Sequence, residues 1–266
     1  MRPFFRFIVA IPLIVLSALI FPLSAQETQT AVDGFVARSY HGAGGETMAY
    51  RLFVPADYDA AKEYPLVLWL HGAAGRGSDN LLQISGDNRL GTHVWTTAEN
   101  QAKYHAFVLA PQVSETKAWA RPHANAPAIS IRLALEILDA VEKEFHVDVS
   151  RVYVAGQSMG GEGVWAALAA APGRFAAAIT LCGYGFDEMI APDAKTSVWI
   201  FQGDADPTVP VDTARRWVAA LRAAGGNPKY TEVPGWGHNV WEKAFANPEV
   251  VPWVFSNHTK RQVSSA

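Results

Sequence analysis

The sequence predicts an α/β fold: a mostly parallel central sheet with helices on both faces. Three observations carry this. First, apolar runs of strand length recur, with L-V-L-W-L at Leu66–Leu70, then Ala106–Ala110, Arg151–Ala155 and Ser197–Gln202. They lack the alternation of half-exposed strands, as expected where both sheet faces are covered. Second, segments of helical spacing lie between the strands, notably Ile129–Phe145 and Asp212–Ala224, and this alternation is how a parallel sheet is built. Third, the run at Arg151–Ala155 leads directly into Gly156-Gln157-Ser158-Met159-Gly160, and the apolar, Ala-rich stretch Trp165–Ala171 follows. Strand, sharp turn and helix are the setting in which G-x-S-x-G exposes a reactive serine.

Taken in order, Met1–Ala25 reads as an export signal. Arg2 and Arg6 give a positive start, Phe7–Leu23 is apolar, and Leu23-Ser24-Ala25 ends in a small residue suited to cleavage before Gln26. The apolar run is short for a membrane span of about 20 residues and carries Pro12 and Pro22. Residues 26–266 then read as one domain, with no internal repeat, low-complexity tract or linker. Gln26–Gly45 is polar and reads as an exposed lead-in. Thr47–Val54 alternates and reads as a strand, and Pro55–Glu63 holds turn chemistry. Ser78–Lys103 is polar, without a clear period. Val113–Pro127 reads as a long loop bearing Trp119. Phe175–Leu181 and Lys229–Val233 are further strands, and Val240–Ala246 and Val250–Ser256 are closing helices.

Bulk properties narrow the function. The net charge of −3 argues against nucleic acid, whose binders carry basic patches. The one cysteine, Cys182, excludes an internal disulfide and lies in an apolar strand pattern, so it reads as a buried hydrophobe. The histidines lack H-x-x-x-H spacing and no G-x-G-x-x-G follows a strand, so neither a metal nor a nucleotide cofactor is expected.

A serine hydroxyl is a weak nucleophile and needs a base that is itself oriented by a carboxylate. In a parallel sheet such groups gather at the carboxyl ends of the strands. After Ser197–Gln202 come two candidate acids, Asp204 and Asp206. Asp206 lies farther into the turn and is the expected acid, while Asp204 is placed to tie the turn down. After Lys229–Val233 comes Pro234-Gly235-Trp236-Gly237-His238, and His238 is the expected base. The developing oxyanion needs backbone donors. These are expected from Met159, next to the nucleophile, and from Ala73, with Ala74 second, in the loop after Leu70. His71 is expected to shape that loop. Trp119 and Trp236 are the aromatic candidates for a substrate wall, alongside Trp95, Tyr184 and Trp241.

Several of these segments together resemble a known family: H-G-A-A-G-R-G-S-D-N (His71–Asn80), A-P-Q (Ala110–Gln112), G-Q-S-M-G-G (Gly156–Gly161), G-D-A-D-P-T-V-P (Gly203–Pro210) and G-W-G-H (Gly235–His238). They resemble the secreted α/β-hydrolase esterases, in the group that holds feruloyl and acetyl-xylan esterases, polyhydroxybutyrate depolymerases and a set labelled predicted peptidases. The order Ser, Asp, His is that of the α/β-hydrolases. The resemblance implies Ser158 as nucleophile, Asp206 as acid, His238 as base, and Met159 and Ala73 as oxyanion donors. The family loop often reads H-G-A-G-E-R-G, whereas Ala74 and Gly75 stand here in place of Gly-Glu, so any contact of that Glu is missing. The short link from Ser197–Gln202 to His238 leaves no room for a large lid domain. The expectation is a secreted or periplasmic serine carboxylesterase acting on a small-molecule or polymer-linked ester, with no nucleic-acid partner and no stable membrane association after signal cleavage. A peptidase on the same triad, a narrower feruloyl, acetyl-xylan or polyester esterase, and a binding protein on a hydrolase scaffold are the alternatives.

Overall fold

The computed structural model describes residues 31–120, 127–185, 189 and 194–260. The expected export signal, Met1–Ala25, lies outside the described residues.

Among the described residues nine strands form one sheet. In chain order they are β1 (Ala31–Val32), β2 (Phe35–His41), β3 (Thr47–Phe53), β4 (Tyr64–Leu70), β5 (Phe107–Pro111), β6 (Val147–Gln157), β7 (Ala177–Leu181), β8 (Ser197–Gly203) and β9 (Lys229–Val233). Their spatial order is β1-β2-β3-β5-β4-β6-β7-β8-β9. The first three form an antiparallel meander, and β3 joins β5 antiparallel. From β5 onwards every pairing is parallel. The chain runs from β4 to β5 on one side, then crosses to place β6 on the other side of β4. This reversal opens a crevice at the carboxyl ends of β4 and β6, where α/β sheets hold their ligands.

The helices are α1 (Arg89–His93), α2 (Ala98–Tyr104), α3 (Ile129–Glu144), α4 (Met159–Ala170), α5 (Val211–Ala223), α6 (Trp241–Ala246) and α7 (Val250–Phe255). Successive strand side chains point to opposite faces, and the core divides accordingly. Leu66, Leu68 and Leu70 of β4 pack with Ile131 and Ile137 of α3, Val164 and Trp165 of α4, and Trp217 of α5. Val67 and Trp69 pack on the other face with Trp95, Ala244 of α6, and Val250 and Phe255 of α7. All seven residues of β4 are buried, which explains its unbroken apolar sequence. Among the described residues no helix is long and apolar enough to cross a membrane.

The structure departs from the sequence reading in three places. The segment read as an exposed lead-in contains β2, which pairs with β3 along its whole length, from Phe35↔Phe53 to His41↔Thr47. The pairing comes from a partner strand beyond the local sequence. The helix after the nucleophile begins at Met159, not Trp165, because Gly160, Gly161 and Gly163 lower the local helical signal while the fold demands small residues there. The segment 78–103 folds into short 3-10 turns and helices α1 and α2, all too brief to show a period.

Candidate active site

Ser158 joins β6 to α4 with φ +54° and ψ −121°. A non-glycine residue with positive φ is strained, and such strain is held only where the surroundings enforce it. Here the enforcement is close packing. A Cβ on Gly156 would stand 2.3 Å from the Gly160 carbonyl oxygen, and one on Gly160 would stand 1.8 Å from the Leu70 carbonyl oxygen. The turn is therefore sharp enough only with glycine at both positions. The Ser158 amide donates to the Leu181 carbonyl at 2.8 Å, pinning the elbow to β7. The amides of the first turn of α4 have no intrahelical acceptor, so Met159 N–H stands at the positive end of the helix beside Ser158.

Asp206 and His238 come from the turns after β8 and β9, and the structure brings both to Ser158. His238 Nε2 lies 2.8 Å from Ser158 Oγ, and its Nδ1 lies 2.8 Å from Asp206 Oδ2. The Asp206 side chain is fully buried. Its Oδ1 accepts from the Thr208 and Val209 amides at 2.8 and 2.9 Å, and its Oδ2 also accepts from Gln202 Nε2 at 3.1 Å. An acceptor on Nδ1 favours the tautomer that leaves Nε2 free to take the serine proton. Asp204 takes the other role: its Oδ1 accepts from the Gly235 amide at 2.6 Å and ties the β8 turn to the histidine loop.

The loop after β4 lies beside the elbow because Leu70 and Gly156 are register partners. Ala73 and Ala74 are exposed in a 3-10 turn, Ala73–Gly75. His71 is fully buried. Its Nε2 accepts from the Val113 amide at 3.0 Å, so the proton sits on Nδ1, which donates to the Gly72 carbonyl at 2.7 Å. Burial holds the imidazole neutral, with its pKa lowered to about 4. The Gly72 carbonyl also receives the Gly75 amide at 2.9 Å. In a trans peptide the N–H points opposite the carbonyl oxygen, so fixing Gly72 O also fixes the direction of the Ala73 N–H. Asn88 Oδ1 holds the Gly72 amide at 2.8 Å.

The aromatic candidates separate. Trp119 is fully buried, and its Nε1 donates to the His71 carbonyl at 3.0 Å. The expectation of a substrate wall there is not met: the ring packs behind the loop and supports it. Trp95 is core, edge-on to Phe245 and Phe255. Trp236 is half-buried with the Lys243 ammonium 4.6 Å from its ring centre. Trp241 packs edge-on against the His238 ring at 5.8 Å, and Tyr184 is exposed.

Two supporting residues escaped the sequence reading. Gln202 and Asn88 are buried amides that hold Asp206 and the Gly72 loop. A polar residue closing the apolar run of β8 was the available signal for Gln202. Cys182, read as a buried hydrophobe, is buried, and burial raises its thiol pKa. It also donates Sγ–H to the His238 carbonyl at 3.0 Å. Cys182, Asp206 and His238 form a cluster of possible metal ligands, but the imidazole nitrogens are already engaged with Asp206 and Ser158.

Comparison with known proteins agrees with this architecture. The Esterase family model matches residues 42–200. A curated protein of Aspergillus niger named "Probable feruloyl esterase C" is 29 % identical over 237 residues, covering 87 % of this chain and 81 % of its own. A crystal structure of a thermostable esterase superposes with a TM-score of 0.80 at 35 % identity, over 85 % of this chain; this chain spans 64 % of that one. A ferulic acid esterase structure superposes with a TM-score of 0.65 at 17 % identity, over 84 % of this chain and 98 % of its own, and shares the fold. The match over more than half of the sequence, on a parallel sheet with a serine elbow at its crevice, places the chain in the Esterase family, the ester-cleaving α/β-hydrolases.

Proposed function

We propose that the chain is a secreted serine carboxylesterase that hydrolyses short-chain or aryl esters through an acyl-enzyme intermediate. The observation that carries this reading is the unbroken hydrogen-bond line from Ser158 Oγ through His238 to the buried Asp206, with 2.8 Å at each step. In the proposed cycle His238 Nε2 takes the proton of Ser158 as Oγ attacks the ester carbonyl carbon. The carbonyl oxygen gains negative charge and is met by the Met159 and Ala73 amides. The tetrahedral intermediate collapses, the alcohol leaves with the proton from His238, and water repeats the sequence to release the acid. Asp206 stabilises the imidazolium that forms at each step.

The aryl preference is supported by the name of the Aspergillus niger relative, a feruloyl esterase. Export is supported by the charged start and apolar run of Met1–Ala25, with residues 26–266 as the catalytic domain. Hydrolysis of p-nitrophenyl esters from acetate to decanoate, beside methyl ferulate and a p-nitroanilide peptide, tests the reading. Short esters are expected to be cleaved, and Ser158→Ala is expected to lower kcat by roughly 10⁴-fold or more. Cleavage of the anilide alone would move the chain to the peptidases, and near-wild-type activity in Ser158→Ala would overturn the nucleophile assignment.

A further inference from the structure

Two motifs singled out in the sequence end on residues to which the proposed reaction gives no part: A-P-Q on Gln112, and H-G-A-A-G-R-G-S-D-N on Asp79 and Asn80. The structure brings them together behind the turn Ala73–Gly75. Gln112 follows β5, the neighbour of β4, and is only 3 % exposed. Its side chain has two N–H donors and one carbonyl acceptor, and each has a partner. Nε2 donates to the Gly75 carbonyl at 3.2 Å and to Asp79 Oδ1 at 2.7 Å, and Oε1 accepts from the Asn80 amide at 2.7 Å. Acceptors on one side and an N–H on the other fix which way round the amide sits. Asp79 Oδ1 is anchored in turn by the Leu81 and Leu82 amides at 3.0 and 3.2 Å.

The Gly75 carbonyl and the Arg76 N–H belong to one trans peptide and point in opposite directions. Gln112 holds the first, and the second donates to the Ala73 carbonyl at 3.2 Å. That carbonyl lies opposite the Ala74 N–H across its own peptide. His71 therefore fixes the peptide before Ala73 through the Gly72 carbonyl, and Gln112 fixes the peptide after it. Packing holds the turn as well: a Cβ on Gly75 would stand 2.6 Å from His71 Cγ, and the Gly77 amide donates to the Val113 carbonyl at 3.0 Å. The amides of Gly72, Gly75, Arg76 and Gly77 are all engaged, whereas among the described residues no acceptor takes the N–H of Ala73 or Ala74. These two N–H groups are the ones left for a reacting carbonyl oxygen.

We propose that Gln112, held by Asp79, is a positioning residue that aims the Ala73–Gly75 turn at the oxyanion, so that its loss weakens transition-state stabilisation. Its hydrogen bonds lie outside the reacting atoms, and it acts only through the backbone of the turn. An oxyanion hole works because its donors are aimed before the charge develops. A peptide unit free to tilt at Gly75 removes that aim without removing a donor. This rests on Ser158 being the esterase nucleophile.

The test compares kcat/KM on the full protein for p-nitrophenyl acetate and for its thiono analogue, in which sulfur replaces the carbonyl oxygen. Sulfur is the larger and weaker acceptor, so the ratio of the two rates reads how well the turn serves an oxygen. A variant that merely lowers the amount of folded enzyme leaves that ratio unchanged. Gln112→Met fills a similar volume without a donor and is expected to lower the ratio by at least about tenfold. Asp79→Ala, at an exposed position, is expected to lower it too, and Asp79→Asn, which keeps an acceptor oxygen, to restore most of that loss. An unaltered ratio in folded Gln112→Met overturns the proposal, and so does an unaltered ratio in Asp79→Ala where Gln112→Met does not fold. Fluorophosphonate labelling separates the two levels. A labelled Ser158 with an unaltered ratio sinks the positioning role alone, and an unlabelled folded wild type sinks the nucleophile assignment beneath it.

Discussion

Asp206 and Asp204 stand two residues apart on the same turn and differ in everything that matters for an imidazole. Asp206 is buried and takes four hydrogen bonds on two oxygens, one of them from His238. Asp204 is exposed and holds a loop amide. Asp206→Asn is therefore expected to favour the wrong imidazole tautomer and lower kcat by roughly 10⁴-fold, while Asp204→Asn keeps an oxygen that accepts from the Gly235 amide, loses only its charge, and falls by less than about tenfold. Rates on p-nitrophenyl acetate check both, and equal losses would contradict the division of roles. The three side chains that meet at the candidate site could be picked out in the sequence because each follows a recognisable strand. The residues that hold them were not. Asn88 and Gln202 act through contacts with Gly72 and Asp206 that only the tertiary fold creates. Trp119 misled for the same reason: a tryptophan in a loop looks like a surface aromatic until its indole N–H is seen on the His71 carbonyl.

At the scale of elements, the junction of β4, β6 and α4 allows no spare volume. Gly160→Ala would drive a methyl group to 1.8 Å from the Leu70 carbonyl oxygen. Since that oxygen is backbone in a fully buried strand, α4 or the elbow has to shift. The expected cost is about 3 kcal/mol or more, read from the midpoint of urea unfolding. Gly173→Ala, where nothing lies within 4 Å but φ is +72°, is expected to cost only about 1 kcal/mol. Similar losses at the two sites would mean that the elbow yields more than its packing suggests. Elements covered on both faces, β4 and β8 above all, announced themselves by apolar runs. Strand β2 did not, since its burial is mixed and its pairing depends on β3. Helix α4 was half hidden by the glycines that its packing requires.

For the whole molecule, the buried His71 couples folding to pH. In the unfolded chain its imidazole titrates near 6.5, and in the fold only at about 4. Between those values the unfolded state binds the extra proton, so stability falls as the pH falls through this window and levels off below it. The loss from this one group is about 3 kcal/mol. His71→Gln is expected to weaken the fold at neutral pH and to lose about 3 kcal/mol less between pH 7 and pH 4. Urea unfolding at the two pH values measures this, and an unchanged difference would assign the acid sensitivity elsewhere. The hydrogen-bonded line of Ser158, His238 and Asp206 has a consequence on the same scale. His238 stands 80 residues from Ser158 and 32 from Asp206 along the chain, and parallel strands with such distant partners assemble slowly. Under the proposed mechanism catalysis is therefore a late reporter of folding. In a refolding experiment, regained ester cleavage should trail regained helix content, and an unfinished chain should be chemically silent on its way to its destination.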